Sequence, residues 1–475
     1  MEPPEPPRLA DETRWYAEHT ALLITTFKWA FLGAAAGICV GGATRGFLWC
    51  LSASADAVRR LPLGPVPFYA LLPLAMVGCV WLIRRFAPTA KGHGTEAVIA
   101  AVHQSSGRVD WRVAPVKLLA TVLTLAFGGS VGKEGPCAQI GAAITSLFAD
   151  LLRLSDEDRR RLVICGIGAG FAAVFGTPIS GALFGIEVLA LGRIDYEVLF
   201  PCLMAGIVAH LVCGVPPLAP PLHESIGVLR QSTLVPICLG FGAAFGLIAL
   251  LLIETMRGLE RSLRRFESRP YTLAFTGGAF LALFYAAAGP SFAGLGTDTI
   301  ELALSGAVRF ALLAFAAKIL ATSVTLETGG SGGIVTPIFF IGATSGSAFA
   351  SLFGMPSGAF AAFGLVSVLA AAANTPIAAA VMGIELLPGP VGVYAALCAG
   401  TAFLIVGHRS VYASQKLAFS KSPGLEIPLD LPVGQLGRRV RVRPGSLTDR
   451  ALRIERSAPW RRRTRRPPPA ERDPE

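Results

Sequence analysis

The segment Gly128-Gly129-Ser130-Val131-Gly132-Lys133-Glu134-Gly135-Pro136 returns 201 residues later as Gly329-Gly330-Ser331-Gly332-Gly333-Ile334-Val335-Thr336-Pro337. At the same spacing Lys117 matches Lys318, Ala120-Thr121 matches Ala321-Thr322, Thr124 matches Thr325, and Ile140-Gly141-Ala142 matches Ile341-Gly342-Ala343. Close to that register, Gly94-Thr95-Glu96 matches Gly296-Thr297-Asp298, Thr177-Pro178-Ile179 matches Thr375-Pro376-Ile377, and Ile186-Glu187 matches Ile384-Glu385. Low complexity does not hold register over some ninety residues. The chain therefore folds as two related units built on one plan.

The repeated motifs interrupt long apolar stretches: 21–50, 68–83, 163–191, 235–253, 273–289, 310–324, 334–353, 359–387 and 391–406. Several reach the roughly 20 residues that cross a bilayer as a helix. Hydrophobic residues make up 53% of the chain and charged residues 15%, against about 25% charged in a soluble domain. The 53 glycines fit membrane helices packed at close range. These features predict an all-α polytopic membrane protein embedded in a lipid bilayer.

Basic residues cluster in connectors and at the C-terminal end: Arg84-Arg85, Arg159-Arg160-Arg161, Arg261 to Arg265, and Arg438 to Arg466. Basic flanks beside apolar spans mark the cytoplasmic side, so both termini are expected in the cytoplasm and the spans in the cell (inner) membrane. The basic tail lacks the aromatic interleaving of a nucleic-acid surface, so no nucleic-acid partner is expected. The counterparts of the first half's basic connectors, near 286–293 and 354–361, carry no basic residue. Equivalent connectors thus lie on opposite sides, which predicts an inverted repeat. The division expected is a cytoplasmic segment 1–20, a first membrane half 21–256, a basic linker 257–270, a second membrane half 271–420, and a disordered basic tail 421–475. Residues 9–20 read as a short amphipathic surface helix.

The broken segments hold the chemistry. Interrupted apolar segments at matching places in two halves point to a binding site. In Gly132-Lys133-Glu134-Gly135-Pro136 the glycines expose backbone N–H groups, and Pro136 suits the first turn of a helix. The helix that follows aims its free N–H groups and positive dipole end at the break, which is an anion site. Gly333, Ile334 and Val335 offer the same geometry from the second copy. Partial charges attract an anion without trapping it, as conduction requires.

Glu134 lies inside this anion site, and an intramembrane carboxylate is a functional candidate. Ionised, it occupies the anion position and blocks the path. Protonated or swung aside, it opens the path. The competing reading is a helix cap or a pair with Lys133, but the second copy has Val335 at this place. Glu187 and Glu385 occur in both copies, as do Lys117 and Lys318, which favours structural roles for all four. His93, between Gly92 and Gly94, is a candidate anion ligand alongside the plainer reading of a structural histidine. Tyr412 follows the last apolar span, where tyrosines commonly form the interfacial belt. Gly132-Lys133 is not a phosphate-binding loop, because Phe127 and Glu134 stand where that motif needs Gly and Ser or Thr. The nine cysteines are scattered through apolar segments and read as small core residues. No Ser/His/Asp or metal-ligand constellation is present, so neither enzymatic chemistry nor a cofactor is expected.

These motifs resemble those of the CLC family of chloride channels and chloride/proton antiporters, across about residues 20–420. Gly132-Lys133-Glu134-Gly135-Pro136 is similar to the family's GKEGP motif, and Gly333-Ile334-Val335-Thr336-Pro337 to its GxFxP motif, with Val for Phe. The resemblance implies an inverted-repeat fold of about eighteen helices, several short or discontinuous. It implies a homodimer with one anion path per subunit, Glu134 as gate, and Tyr412 as a pore-lining tyrosine. His93 stands where the family's GSGIP motif places an anion-coordinating Ser, which leaves chloride, fluoride, nitrate or another anion open as cargo. Val188 stands where antiporters carry a second, proton-delivering glutamate. The chain is short after its membrane part for the paired CBS domains of many relatives.

The expected function is a chloride or broader anion channel or transporter, gated by Glu134 and passive, since Val188 cannot relay a proton. The alternatives are a chloride/proton antiporter and an inverted-repeat transporter of another anion.

Overall fold

The computed structural model describes residues 11–60, 66–216, 231–306, 312–387 and 389–457. Seventeen α-helices lie among the described residues: α1 (Asp11–Arg59), α2 (Leu72–Phe86), α3 (Thr95–Gln104), α4 (Val113–Ala126), α5 (Glu134–Leu151), α6 (Asp156–Phe175), α7 (Pro178–Glu187), α8 (Tyr196–Cys213), α9 (Gln231–Leu263), α10 (Pro270–Ala288), α11 (Thr297–Ser305), α12 (Ala314–Glu327), α13 (Val335–Leu352), α14 (Ser357–Ala373), α15 (Pro376–Leu386), α16 (Pro390–Ile405) and α17 (Leu447–Ser457). Among the described residues, six segments are long and apolar enough to cross a membrane, including α1, α8, α9 and α10. Their outward faces carry bare apolar side chains such as Phe27, Phe31, Leu211 and Leu283, as a lipid-facing surface requires.

Two eight-helix halves, α1–α8 and α9–α16, repeat one packing scheme. In the first, α1 lies against α5, α6 and α8; in the second, α9 lies against α13, α14 and α16. The apolar stretches 163–191 and 359–387 are each broken in two. Gly176 and Asn374, both left-handed, end α6 and α14, and the Pro of each Thr-Pro-Ile opens the next helix.

The reciprocity of the contacts shows that the halves are inverted about a two-fold axis. The amide of Ser130 donates to the Thr325 hydroxyl and that of Ser331 to the Thr124 hydroxyl, both at 3.1 Å. Gly132 and Gly333 form an antiparallel bridge, with N–H···O distances of 2.7 and 2.6 Å. Glu187 accepts the amides of Ile377 and Ala378 at 3.0 and 2.8 Å, while Glu385 accepts those of Ile179 and Ser180 at 2.9 and 2.8 Å. Each glutamate thus caps a helix start of the opposite half, where the first-turn amides lack intrahelical partners.

Three sequence expectations are corrected. The halves divide before α9, not at 257–270, because α9 packs with second-half helices. The basic linker is the end of α9, a single 3₁₀ turn at Arg264–Phe266, and the approach to α10. The repeat was visible only from position 94 onward, so the sequence held no marker that α9 is the mate of α1. Second, residues 11–20 are not a separate surface helix: from Asp11 the chain is part of one 49-residue helix, and residues 1–10 lie outside the described ones. Third, part of the tail is folded. β2 (Lys416–Leu417) pairs in parallel with β1 (Ala190–Leu191), and β3 (Leu425–Glu426) pairs antiparallel with β4 (Arg441–Val442), ahead of α17. Leu191, Phe403, Leu417, Val433 and Leu436 give this segment a small apolar core. Residues 458–475 lie outside the described ones.

Candidate functional site

The two glycine-rich breaks meet at the Gly132–Gly333 bridge, which sets the starts of α5 and α13 side by side. Both breaks are buried: Gly132, Gly135, Pro136, Gly333, Ile334 and Val335 have almost no exposed surface. The approach leaves no room for larger residues. A Cβ on Gly333 would meet the Glu134 carboxylate and, at 2.7 Å, the Gly135 amide nitrogen. Gly94, at φ +84°, touches the Gly135 carbonyl so closely that a Cβ would lie 2.6 Å from its oxygen.

Glu134 does not cap its own helix, and it makes no ion pair with Lys133 among the described contacts. Its carboxylate crosses to the other half. Oε1 accepts the Val335 amide at 2.5 Å and Oε2 the Thr336 hydroxyl at 2.7 Å. The acceptor therefore sits on the free N–H groups that open α13, where helix geometry favours an anion. Val335 contributes its backbone rather than its side chain. Lys133 is half-buried, with the Cys137 and Cys213 sulfurs and Glu134 among its charged or titratable neighbours.

Around this pair stands a group of polar atoms without partners. His93 Nδ1, Gln139 Oε1 and Glu96 Oε2 are shielded from solvent and make no hydrogen bond, and the shielded Tyr412 hydroxyl has Thr95 beside it. The His93 and Tyr412 rings face each other with centroids 5.5 Å apart. Gln139 Oε1 is within reach of Gly94, and the Tyr412 hydroxyl has Glu134 and Thr95 among its neighbours. Buried polar groups are nearly always satisfied, so such a cluster marks a place for a small polar ligand or water. Tyr412 is fully buried, which replaces the interfacial-belt reading: the loop after α16 folds back under the helices instead of running along the lipid boundary.

The glycine turn carrying His93 is fixed from below. Lys117 donates to the carbonyls of Ala90 and Gly92 at 3.1 and 2.5 Å. Lys318 repeats this in the other half, on Phe292 and Gly294 at 3.1 and 2.8 Å. Both ammonium groups are wholly buried, and their carbonyl partners satisfy them. Val188 is buried in the apolar core at the end of α7, with its carbonyl accepting from Gln415 at 3.1 Å.

Sequence reasoning assigned no role to Thr336, Gln139 and Glu96. Thr336 stands beside the repeated proline and was legible only as part of a motif. Gln139 lies just over one turn along α5 from Glu134, and Glu96 lies in the first turn of α3 beside His93.

The family model described as voltage gated chloride channel matches residues 74–407. The chain is 35% identical over 414 residues to a chloride/fluoride channel protein of Pseudomonas syringae pv. tomato, covering 85% of this chain and 90% of that one. It is 30% identical to an H(+)/Cl(-) exchange transporter of Citrobacter koseri, over 68% of this chain and 71% of that one. Among solved structures, a CLC-type fluoride/proton antiporter superposes with a TM-score of 0.76 at 26% identity, covering 82% of this chain and 98% of the other. A slow cyanobacterial Cl-/H+ antiporter gives a TM-score of 0.67 at 21% identity, over 80% and 94% of the two chains, a likeness of fold. With a family model matched across most of its helices and two such relatives, the chain belongs to the voltage gated chloride channel (CLC) family of multi-pass membrane proteins that transport anions.

Proposed function

We propose that this chain moves a small inorganic anion, fluoride or chloride, along the path between the starts of α5 and α13, with Glu134 as its gate. One observation carries the reading: the Glu134 carboxylate is bonded to Val335 N–H and Thr336 Oγ1, the donors that a transported anion would use. Carboxylate and anion exclude each other there, so the path opens when Glu134 leaves. The polar atoms of His93 and Tyr412 line the next position along the path. The printed descriptions of the relatives, which name chloride, fluoride and protons, support this cargo class.

Competition at one position also supplies coupling. A carboxyl that leaves protonated and returns ionised carries a proton against the anion, so Glu134 is itself a proton carrier. The leading mode is therefore anion/proton exchange. The second mode, passive flux, is favoured by Val188, whose side chain cannot hold a proton. Proteoliposomes with anion efflux and proton uptake recorded together separate the two. An anion gradient that drives protons uphill supports exchange, and anion efflux with no proton movement supports the passive mode. Loss of pH-dependent gating in Glu134→Gln is expected in both; a variant that keeps it overturns the gate.

A homodimer in the cell membrane with cytoplasmic termini follows from the family resemblance and the basic connectors. Cross-linking in membranes and accessibility labelling of the tail test these two proposals. The reading needs no enzymatic activity and no cofactor.

A further inference from the structure

Glu96 lies in the first turn of α3, beside the His93 turn. Its Oε1 accepts both the Ser414 amide at 2.8 Å and the Ser414 hydroxyl at 2.5 Å, while Oε2 is shielded and has no hydrogen-bond partner. Tyr412, two residues before Ser414, feels the charge of two carboxylates. Glu134 and Glu96 are both among the charged neighbours of its buried hydroxyl, and Thr95 is its polar neighbour. The repeat breaks here as it does at Glu134. Asp298, the mate of Glu96, is exposed on the surface of the second half, so the shielding of Glu96 Oε2 does not follow from the shared plan.

A carboxyl oxygen with no partner, enclosed beside the path, costs free energy unless it holds a proton or a ligand. We infer that Glu96 is a second protonatable carboxyl of the pathway, passing protons to Glu134 through the enclosure formed by Tyr412, Thr95 and His93. This deepens the exchange reading and rests on it. The step moves one proton and breaks only O–H bonds. The Glu96 carboxylic acid gives its proton to water in the enclosure, a proton passes from that water to the Glu134 carboxylate, and Glu96 is reprotonated from solvent. No carboxylate is then needed at position 188. The groups acting on Glu96 are Ser414 and the Ala413 backbone from the loop after α16 and Glu260 from the end of α9, while Glu96 in turn acts on Tyr412 of the same loop, whose ring meets that of His93 and which Glu134 also reaches.

The test uses the full chain in proteoliposomes, with fluoride or chloride efflux and proton uptake measured together. In Glu96→Gln, the proton-to-anion ratio is expected to fall at least ~10-fold, within the range of lost acid–base groups. Ser414→Ala removes the hydroxyl contact but keeps the carboxyl, and is expected to hold the wild-type proton-to-anion ratio. Glu96→Asp keeps a carboxyl at shorter reach and is expected to slow proton uptake. A wild-type ratio in Glu96→Gln, unchanged proton uptake in Glu96→Asp, or equal loss in Ser414→Ala overturns the inference. The last outcome would mean that Glu96 acts by holding the Tyr412 loop. Absence of proton movement in the wild type is a different failure, because it removes the exchange reading itself.

Discussion

Glu187 and Glu385 exchange caps across the two-fold axis: each carboxylate holds two amides at the helix start that follows the other half's Thr-Pro. Both are thereby committed to the scaffold. Glu187→Ala should destabilise the protein by about 2 kcal/mol or more, the cost of a lost helix cap whose amides stay unpaired. Thermal unfolding in detergent measures it, and flux per folded molecule is expected to stay near wild type. A selective loss of flux at unchanged stability would instead place Glu187 on the path.

The Thr336 hydroxyl holds the Glu134 carboxylate over the path. Thr336→Ala removes one hydrogen bond to a charged group, about 1.5–3 kcal/mol. The gate should therefore open more often, with resting anion flux raised roughly 10-fold. Stopped-flow efflux from vesicles gives the comparison, and unchanged or slower flux counts against the gate geometry.

Lys117 and Lys318 make the same two bonds to equivalent turns, yet only the Lys117 turn carries His93. Either residue changed to Met should lower thermal stability by a similar amount, since each leaves two carbonyls unpaired. Lys117→Met alone is expected to alter the fluoride-to-chloride selectivity ratio. Equal selectivity changes in both variants would remove the special standing of the His93 turn.

Gly94 tests the tightness of the approach. Gly94→Ala forces a Cβ against the Gly135 carbonyl at a positive φ, so the start of α5 must shift. Anion flux should fall to background even in molecules that remain folded by size-exclusion chromatography. Wild-type flux in such molecules would show that the two breaks need not touch.

Much of this was legible in the sequence because membrane helices keep strong, local signals. The apolar spans, the repeat register of Thr124 with Thr325 and Lys117 with Lys318, and the single carboxylate at Glu134 all survive reading one residue at a time. The division before α9 was not legible, since its only sign is which helices it packs against. The burial of Tyr412 and the presence of Glu96 and Gln139 at the site were hidden for the same reason. Tyr412 is brought in by a returning loop, and Glu96 is marked only by the Ser414 contact that this loop makes, over a separation that no periodicity records. Thr336 was written in the motif, but its role required knowing that Glu134 reaches across rather than back.

Anion affinity measured at neutral pH by calorimetry, in wild type, Glu134→Gln and Glu134→Ala, bears most directly on the central claim. The carboxylate and the anion share the Val335 and Thr336 donors, so the competitor's removal should tighten fluoride or chloride binding at least ~10-fold, about 1.4 kcal/mol. Affinity equal to or weaker than wild type in both variants would contradict the claim that Glu134 occupies the anion's place.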